Sequence, residues 1–124
     1  MRAFVMSALA LVVGLTAALA ADDPMAATYG NTLVVVDPDG VESHLYYRAD
    51  HSFSGRVPSA NYDYKGTWSV DGTGHVCRTY SETIPGVPNP DCDEVAVVAH
   101  TVGDNWTAVT RGKNYKIALK AGKI

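Results

Sequence analysis

Four histidines, a pair of cysteines and a set of aromatic residues are the side chains in this sequence that could do chemistry. His44, His51, His75 and His100 could meet around a zinc ion, but no HExxH, no H-x-H and no adjacent cysteine pair gives a ligand spacing. Glu42 and His44, two residues apart, share one face of an extended strand and could form an acid–base pair. Asp50 and His51 offer a second such pair. Each also reads as an ordinary polar strand face or turn, because catalysis needs several groups converging on one point. Ser43, Ser52, Ser54 and Ser69 lack the strand–turn–helix context of a nucleophile elbow. No glycine-rich phosphate loop leads into a helix. The sequence therefore implies no catalytic residue, no metal and no cofactor. Asn105-Trp106-Thr107 matches a glycosylation sequon.

The aromatics carry a stronger signal. In an alternating reading Tyr62, Tyr64 and Trp68 share one strand face, while Trp106 and Tyr115 sit on strands expected to be neighbours. Such rings can line a pocket for an apolar or aromatic ligand, or stack on a sugar. They can equally be the core of a small domain. Trp68, Trp106, Tyr64 and Tyr47 are the candidate ligand-binding residues.

The elements that must position them are strands. Short alternating segments recur every 8–12 residues between turn residues, which is the all-β pattern. The strands are expected at 32–36, 41–48, 51–57, 62–70, 75–81, 92–100, 105–110 and 114–120. In the second, Val41, Ser43, Leu45 and Tyr47 face one way, and Glu42, His44, Tyr46 and Arg48 the other. Asp37-Pro38-Asp39-Gly40 is a type I turn, and Asp71 to Gly74 forms a tight hairpin. If the latter is the whole turn, Trp68 faces Cys77, Gly66 faces Thr79, and the indole packs beside the cysteine. Residues 82–91 hold three prolines and are expected as a loop. About eight strands joined by hairpins predict an antiparallel up-and-down meander, closed or nearly closed into a barrel.

Residues 1–20 read as a cleaved secretory signal: Arg2, an apolar run to Leu19, and small residues at Ala18 and Ala20. Residues 21–31 are expected as a loose arm and 32–124 as a single domain. The expected location is periplasmic or secreted, with no membrane span after cleavage. There, Cys77 and Cys92 form a disulfide closing a loop of about 16 residues, contributing roughly 3 kcal/mol in the chain-entropy account. Without residues 1–20 the charge is 9 − 13 = −4, which argues against nucleic-acid binding. Arg111, Lys113, Lys116, Lys120 and Lys123 form a run without acids, suited to an edge strand or an acidic partner.

The stretch YYRADHSFSG…GTWSVDGTGHVC…DC…GDNW resembles a loose group of small secreted bacterial β-proteins of unknown function, over most of residues 45–122. His51 stands where that pattern usually has Gly. The eight-strand meander with Gly-x-Trp is also similar to the calycin barrels of avidin and lipocalin type, and in outline to small bacterial protease inhibitors. In lipocalins Gly-x-Trp opens the first strand, whereas here it lies in the fourth. The calycin resemblance implies a non-catalytic binding protein with an apolar or aromatic small ligand at an aromatic-lined mouth. The alternatives are a protein-interaction module working through the 82–91 loop or the basic hairpin, and a small enzyme using Glu42 and His44.

Overall fold

The computed structural model describes residues 23–124. The expected signal segment lies outside them. Eight antiparallel strands form one sheet that curls through 247° and stays open. They are β1 (Thr32–Val36), β2 (Glu42–Tyr47), β3 (Ser52–Val57), β4 (Tyr62–Val70), β5 (Val76–Tyr80), β6 (Asp91–Cys92), β7 (Asn105–Thr110) and β8 (Lys113–Lys120). The spatial order is β6-β5-β4-β3-β2-β1-β8-β7. Pairing of β1 with β8 joins the ends of the meander, so the open seam falls between β6 and β7. The closed or nearly closed barrel expected from strand count is thus corrected to an open half-barrel.

The seam has a cause in the sequence. Cys77 and Cys92 are directly opposed across β5 and β6 and form the expected disulfide. That register sets Asp93 against Val76, the first residue of β5, and the Asp93 N–H donates to the Val76 carbonyl at 2.8 Å. Beyond Asp93 there is no β5 left to pair with, only the hairpin loop. The strand expected over 92–100 is therefore just Asp91–Cys92, and residues 93–100 run on without a ladder. Among the bonds that hold this segment, the Val97 N–H donates to the Gly74 carbonyl at 2.8 Å, and the Arg111 N–H donates to the Glu94 carboxylate at 2.9 Å.

Three hairpins share one loop design. Asp37 bonds Val41, Arg48 bonds Ser52 and Asp71 bonds His75, each across a three-residue loop whose last residue has positive φ. This is the type I turn followed by a left-handed residue. The left-handed position is Gly40 (φ 83°) and Gly74 (φ 86°) in two of them, and His51 (φ 69°) in the third. Here the imidazole stacks on Trp68, with centroids 4.2 Å apart and planes 8° from parallel. That contact offsets part of the cost of roughly 1–2 kcal/mol for a side chain in left-handed geometry.

The three-residue loop at Gly72–Gly74 also corrects the β4–β5 register. Trp68 lies opposite Arg78, Ser69 opposite Cys77 and Gly66 opposite Tyr80. The disulfide is therefore on the outer face, away from Trp68. Gly66 is required by close approach: a Cβ there would fall 1.9 Å from the Thr79 carbonyl oxygen.

The concave face is filled. Phe53 (1% exposed), Tyr47 (3%), Trp68 (4%), Val76 and Tyr80 form its centre. Residues 23–31, expected as a loose arm, pack into it: a short 3-10 turn at Ala26–Thr28 buries Met25, and Tyr29 lies 6.1 Å from Trp68. Leu119, on β8 between β1 and β7, is fully buried. The outer face has a smaller cluster. Residues 121–124 cross it, so that Thr32 donates to the Gly122 carbonyl at 2.7 Å and the Tyr46 hydroxyl donates to the Ile124 carbonyl.

Candidate functional site

The four aromatic residues singled out by pattern do not form one open pocket. Tyr47 and Trp68 meet edge to face, 5.8 Å apart, inside the concave core. The Trp68 indole N–H donates to the carbonyls of Arg48 (3.0 Å) and Ser52 (3.1 Å), which fixes the ring against the two ends of the β2–β3 loop. Tyr64 lies against Gly55, where any Cβ would meet its ring at 2.1 Å, and packs on Phe53 and Tyr80. Burial, then the neighbouring Tyr80 and Tyr47, push its hydroxyl pKa far up. Trp106 is apart from these, half-buried on β7, with His100 stacked on it at 3.5 Å.

The histidines are likewise dispersed. His44 pairs with Glu42 at 2.8 Å, His75 lies 3.4 Å from Asp71 within its own loop, and His100 lies 3.4 Å from Asp104. Among the described residues no three His, Cys, Asp or Glu side chains are grouped to hold a metal ion.

A buried ionic cluster stands beside the aromatic core, and the pattern reading missed it. Arg78, its side chain 12% exposed, donates to the Tyr47 hydroxyl (3.1 Å), to Asp91 (3.4 Å) and to Asp93 (2.5 Å). The Tyr80 hydroxyl donates to Asp91 at 3.2 Å. Burial opposes the charge on Arg78, but Tyr47 and Asp93 outweigh it and hold the guanidinium well above its ordinary pKa. Burial also raises both phenols, Tyr80 to about 12 and Tyr47 upward. Among the described residues no buried side-chain polar atom is left without a hydrogen-bond partner, and this cluster ties β5, β6 and β2 together.

The outer face carries a groove of about 460 Å³. Tyr46, Ser54, Arg56, Lys65, Ser81 and Lys123 line it, with Asp63 and Glu82 at its rim. Strand alternation turns the rings of Tyr62 and Tyr64 to the concave side, so β4 gives the groove its backbone there. The Lys123 ammonium sits 5.0 Å above the Tyr46 ring, held by the crossing of residues 121–124. Arg56 is bound to Asp63 (2.9 Å) and Asn61 (2.6 Å). A larger open hollow, about 750 Å³, lies between the β1–β2 turn and the start of β8. Comparison of the chain with known protein families, with curated proteins and with solved structures returns no match.

Proposed function

We propose that this chain is a secreted or periplasmic, non-catalytic binding protein whose ligand site is the outer-face groove over β2, β3 and β4. One observation carries the reading. The concave face, where an aromatic-lined mouth was expected, is packed with its own side chains, whereas the outer groove is open and lined by hydroxyls and cations. Its volume falls in the range of small-molecule sites. The ligand that suits it is small and polar rather than apolar. Ser54 and Ser81 supply hydroxyls, Lys65 and Lys123 supply positive charge, and the Tyr46 edge supplies an apolar wall.

Titration calorimetry with a panel of sugars, acidic sugars and aromatic acids tests this, using Ser54→Trp to fill the groove and Trp106→Phe as a variant outside it. Binding abolished by Ser54→Trp and retained by Trp106→Phe supports the groove. Binding lost only in Trp106→Phe moves the site to the concave side. A second reading, a protein-interaction module, draws on Val95 and Val98, each 65% exposed beside the seam. Concentration-dependent sedimentation that disappears in Val95→Ser/Val98→Ser would favour it.

A further inference from the structure

Charge is segregated on this sheet. Among the described residues acids outnumber bases, yet the outer face is basic. The strand registers place Arg56, Lys65, Lys116 and Lys120 there, and hydrogen bonds to Ser52 and Ser54 hold Arg48 on the same side. Lys123 joins them over Tyr46. The acids on those strands' outer face are Glu42 and Asp63, each already bonded, to His44 and to Arg56. The other described acids lie in the segment before β1 (Asp23), in the connections between strands, at the seam or, as Glu82, at the groove rim.

The cations form a track. Lys120 is opposite Thr32, Tyr46 is opposite Ser54, and Ser54 is opposite Lys65. Extending the β1–β2 register by one residue brings Thr32 opposite Tyr46. One row across the sheet therefore runs Lys120, Thr32, Tyr46, Ser54, Lys65; Thr32 and Tyr46 are buried beneath residues 121–124, so the surface over its middle is that crossing segment, which carries Lys123. Four strand spacings of about 4.8 Å make it roughly 19 Å long. The groove lies at the β4 end of that row.

We infer that the ligand is an acid-bearing saccharide chain laid across this face over residues 121–124, one ring in the groove and its acid groups on Lys123, Lys65 and Lys120. This rests on the groove being the binding site. The chemistry of the lining selects the class. Lysines recognise the acid groups. Ser54, Ser81 and the rim carboxylates of Asp63 and Glu82 meet the many hydroxyls of a sugar, both as donors and as acceptors. A nucleic acid backbone has few hydroxyls to offer those carboxylates. The length of the row calls for several linked units, so a single acidic sugar gains only part of the binding.

The test is calorimetric titration of the full chain with four-unit oligogalacturonate, its methyl ester, the single galacturonate and a single-stranded oligonucleotide. The expected result is that the tetramer binds at least about tenfold more tightly than the ester or the monomer, a difference of about 1.4 kcal/mol. Its Kd should rise with salt, as it does for exposed charges. Lys65→Glu and Lys120→Glu should each weaken the tetramer without changing the melting temperature, Lys120 being outside the groove. Equal binding of acid and ester, abolished by Ser54→Trp, overturns the charge inference and leaves the groove standing. Binding of the tetramer that Ser54→Trp leaves intact removes the groove reading and this inference with it. No binding of the tetramer overturns the inference, while binding of any other compound that Ser54→Trp abolishes keeps the groove. Oligonucleotide binding as tight as the tetramer's replaces the saccharide with a different polyanion.

Discussion

Replacing Arg78 with Met removes one half of a buried ionic cluster and leaves the other half in place. The methionine fills most of the same volume, so the loss is electrostatic rather than a cavity. Asp91, 15% exposed at its side chain, keeps only the Tyr80 hydroxyl at 3.2 Å and a distant Arg111 at 3.9 Å. Tyr47, 3% exposed, loses its guanidinium partner. Breaking a buried pair by removing one partner costs about 3–5 kcal/mol. For a domain of this size each kcal/mol lowers Tm by about 4–8 °C, so Arg78→Met should melt more than roughly 12 °C below the parent. Asp93→Asn should cost only about 1 kcal/mol, because Asp93 is 43% exposed and water replaces its bond. Arg78→Met/Asp91→Leu should recover part of the loss, since the stranded carboxylate goes with its partner. Urea unfolding followed by tryptophan fluorescence measures all three. If Arg78→Met costs under about 1 kcal/mol, or the double variant is less stable than the single, the cluster is not the tie described here.

Other outcomes follow from the same geometry. Gly66→Ala must displace the Thr79 carbonyl from the β4–β5 ladder, so it should cost at least the 1–3 kcal/mol typical of overpacking, about the same whether the disulfide is oxidised or reduced; a neutral result in urea unfolding would contradict the close approach. The Asp71 carboxyl is lowered to about 2 by the His75 N–H and the Thr73 hydroxyl. Its folded pKa is below the unfolded one, so its stabilisation is present above about pH 4 and is lost as pH falls toward 2. Asp71→Asn should flatten the acid limb of stability against pH, and an unchanged limb would count against the loop bonds. Tyr80 is raised by burial to about 12, above the unfolded value of 10.0. Stability from its neutral form is thus complete below pH 10 and lost as pH rises through 12; ultraviolet phenolate titration should show Tyr80→Phe lacking one late-titrating group.

The strand positions were legible because half-buried strands alternate and turn residues punctuate them: Thr32–Val36, Tyr62–Val70 and Asn105–Thr110 stand where the pattern set them. The pairing of Cys77 with Cys92 was legible too. What failed was counting across one loop. A four-residue turn at Asp71–Gly74 pairs Trp68 with Cys77 and points Arg78 outward; the actual three-residue loop pairs Trp68 with Arg78 and points it in. In a sheet a slip of one residue reverses every face, so a single error in the turn hid the whole Arg78 cluster. The left-handed residue at Gly74, flanked by Asp71 bonding back to Thr73 and His75, was the available signal.

The outer face was illegible for a different reason. Alternation marks Tyr46 and Thr32 as solvent positions, and nothing local shows that residues 121–124 return to cover them, because that contact spans 90 positions between Thr32 and Gly122. The same crossing sets Lys123 over Tyr46 and so builds one wall of the groove. The basic run from Arg111 to Lys123 was visible in the sequence as an edge-strand feature, but β8 lies between β1 and β7 and is not an edge. Its partners, Arg56 and Lys65, lie two hairpins away and reach the same face only through the registers of β1, β2, β3 and β4. The track is thus a property of pairing rather than of any one segment. A chain with more acids than bases presents a basic surface because its acids are spent on turns: Asp37, Asp50, Asp71 and Asp104 each accept backbone N–H bonds within their own loop. Carboxylates used to fix hairpins are displaced to the strand ends, and the lysines on the strands between them are left to face the solvent with little opposing charge.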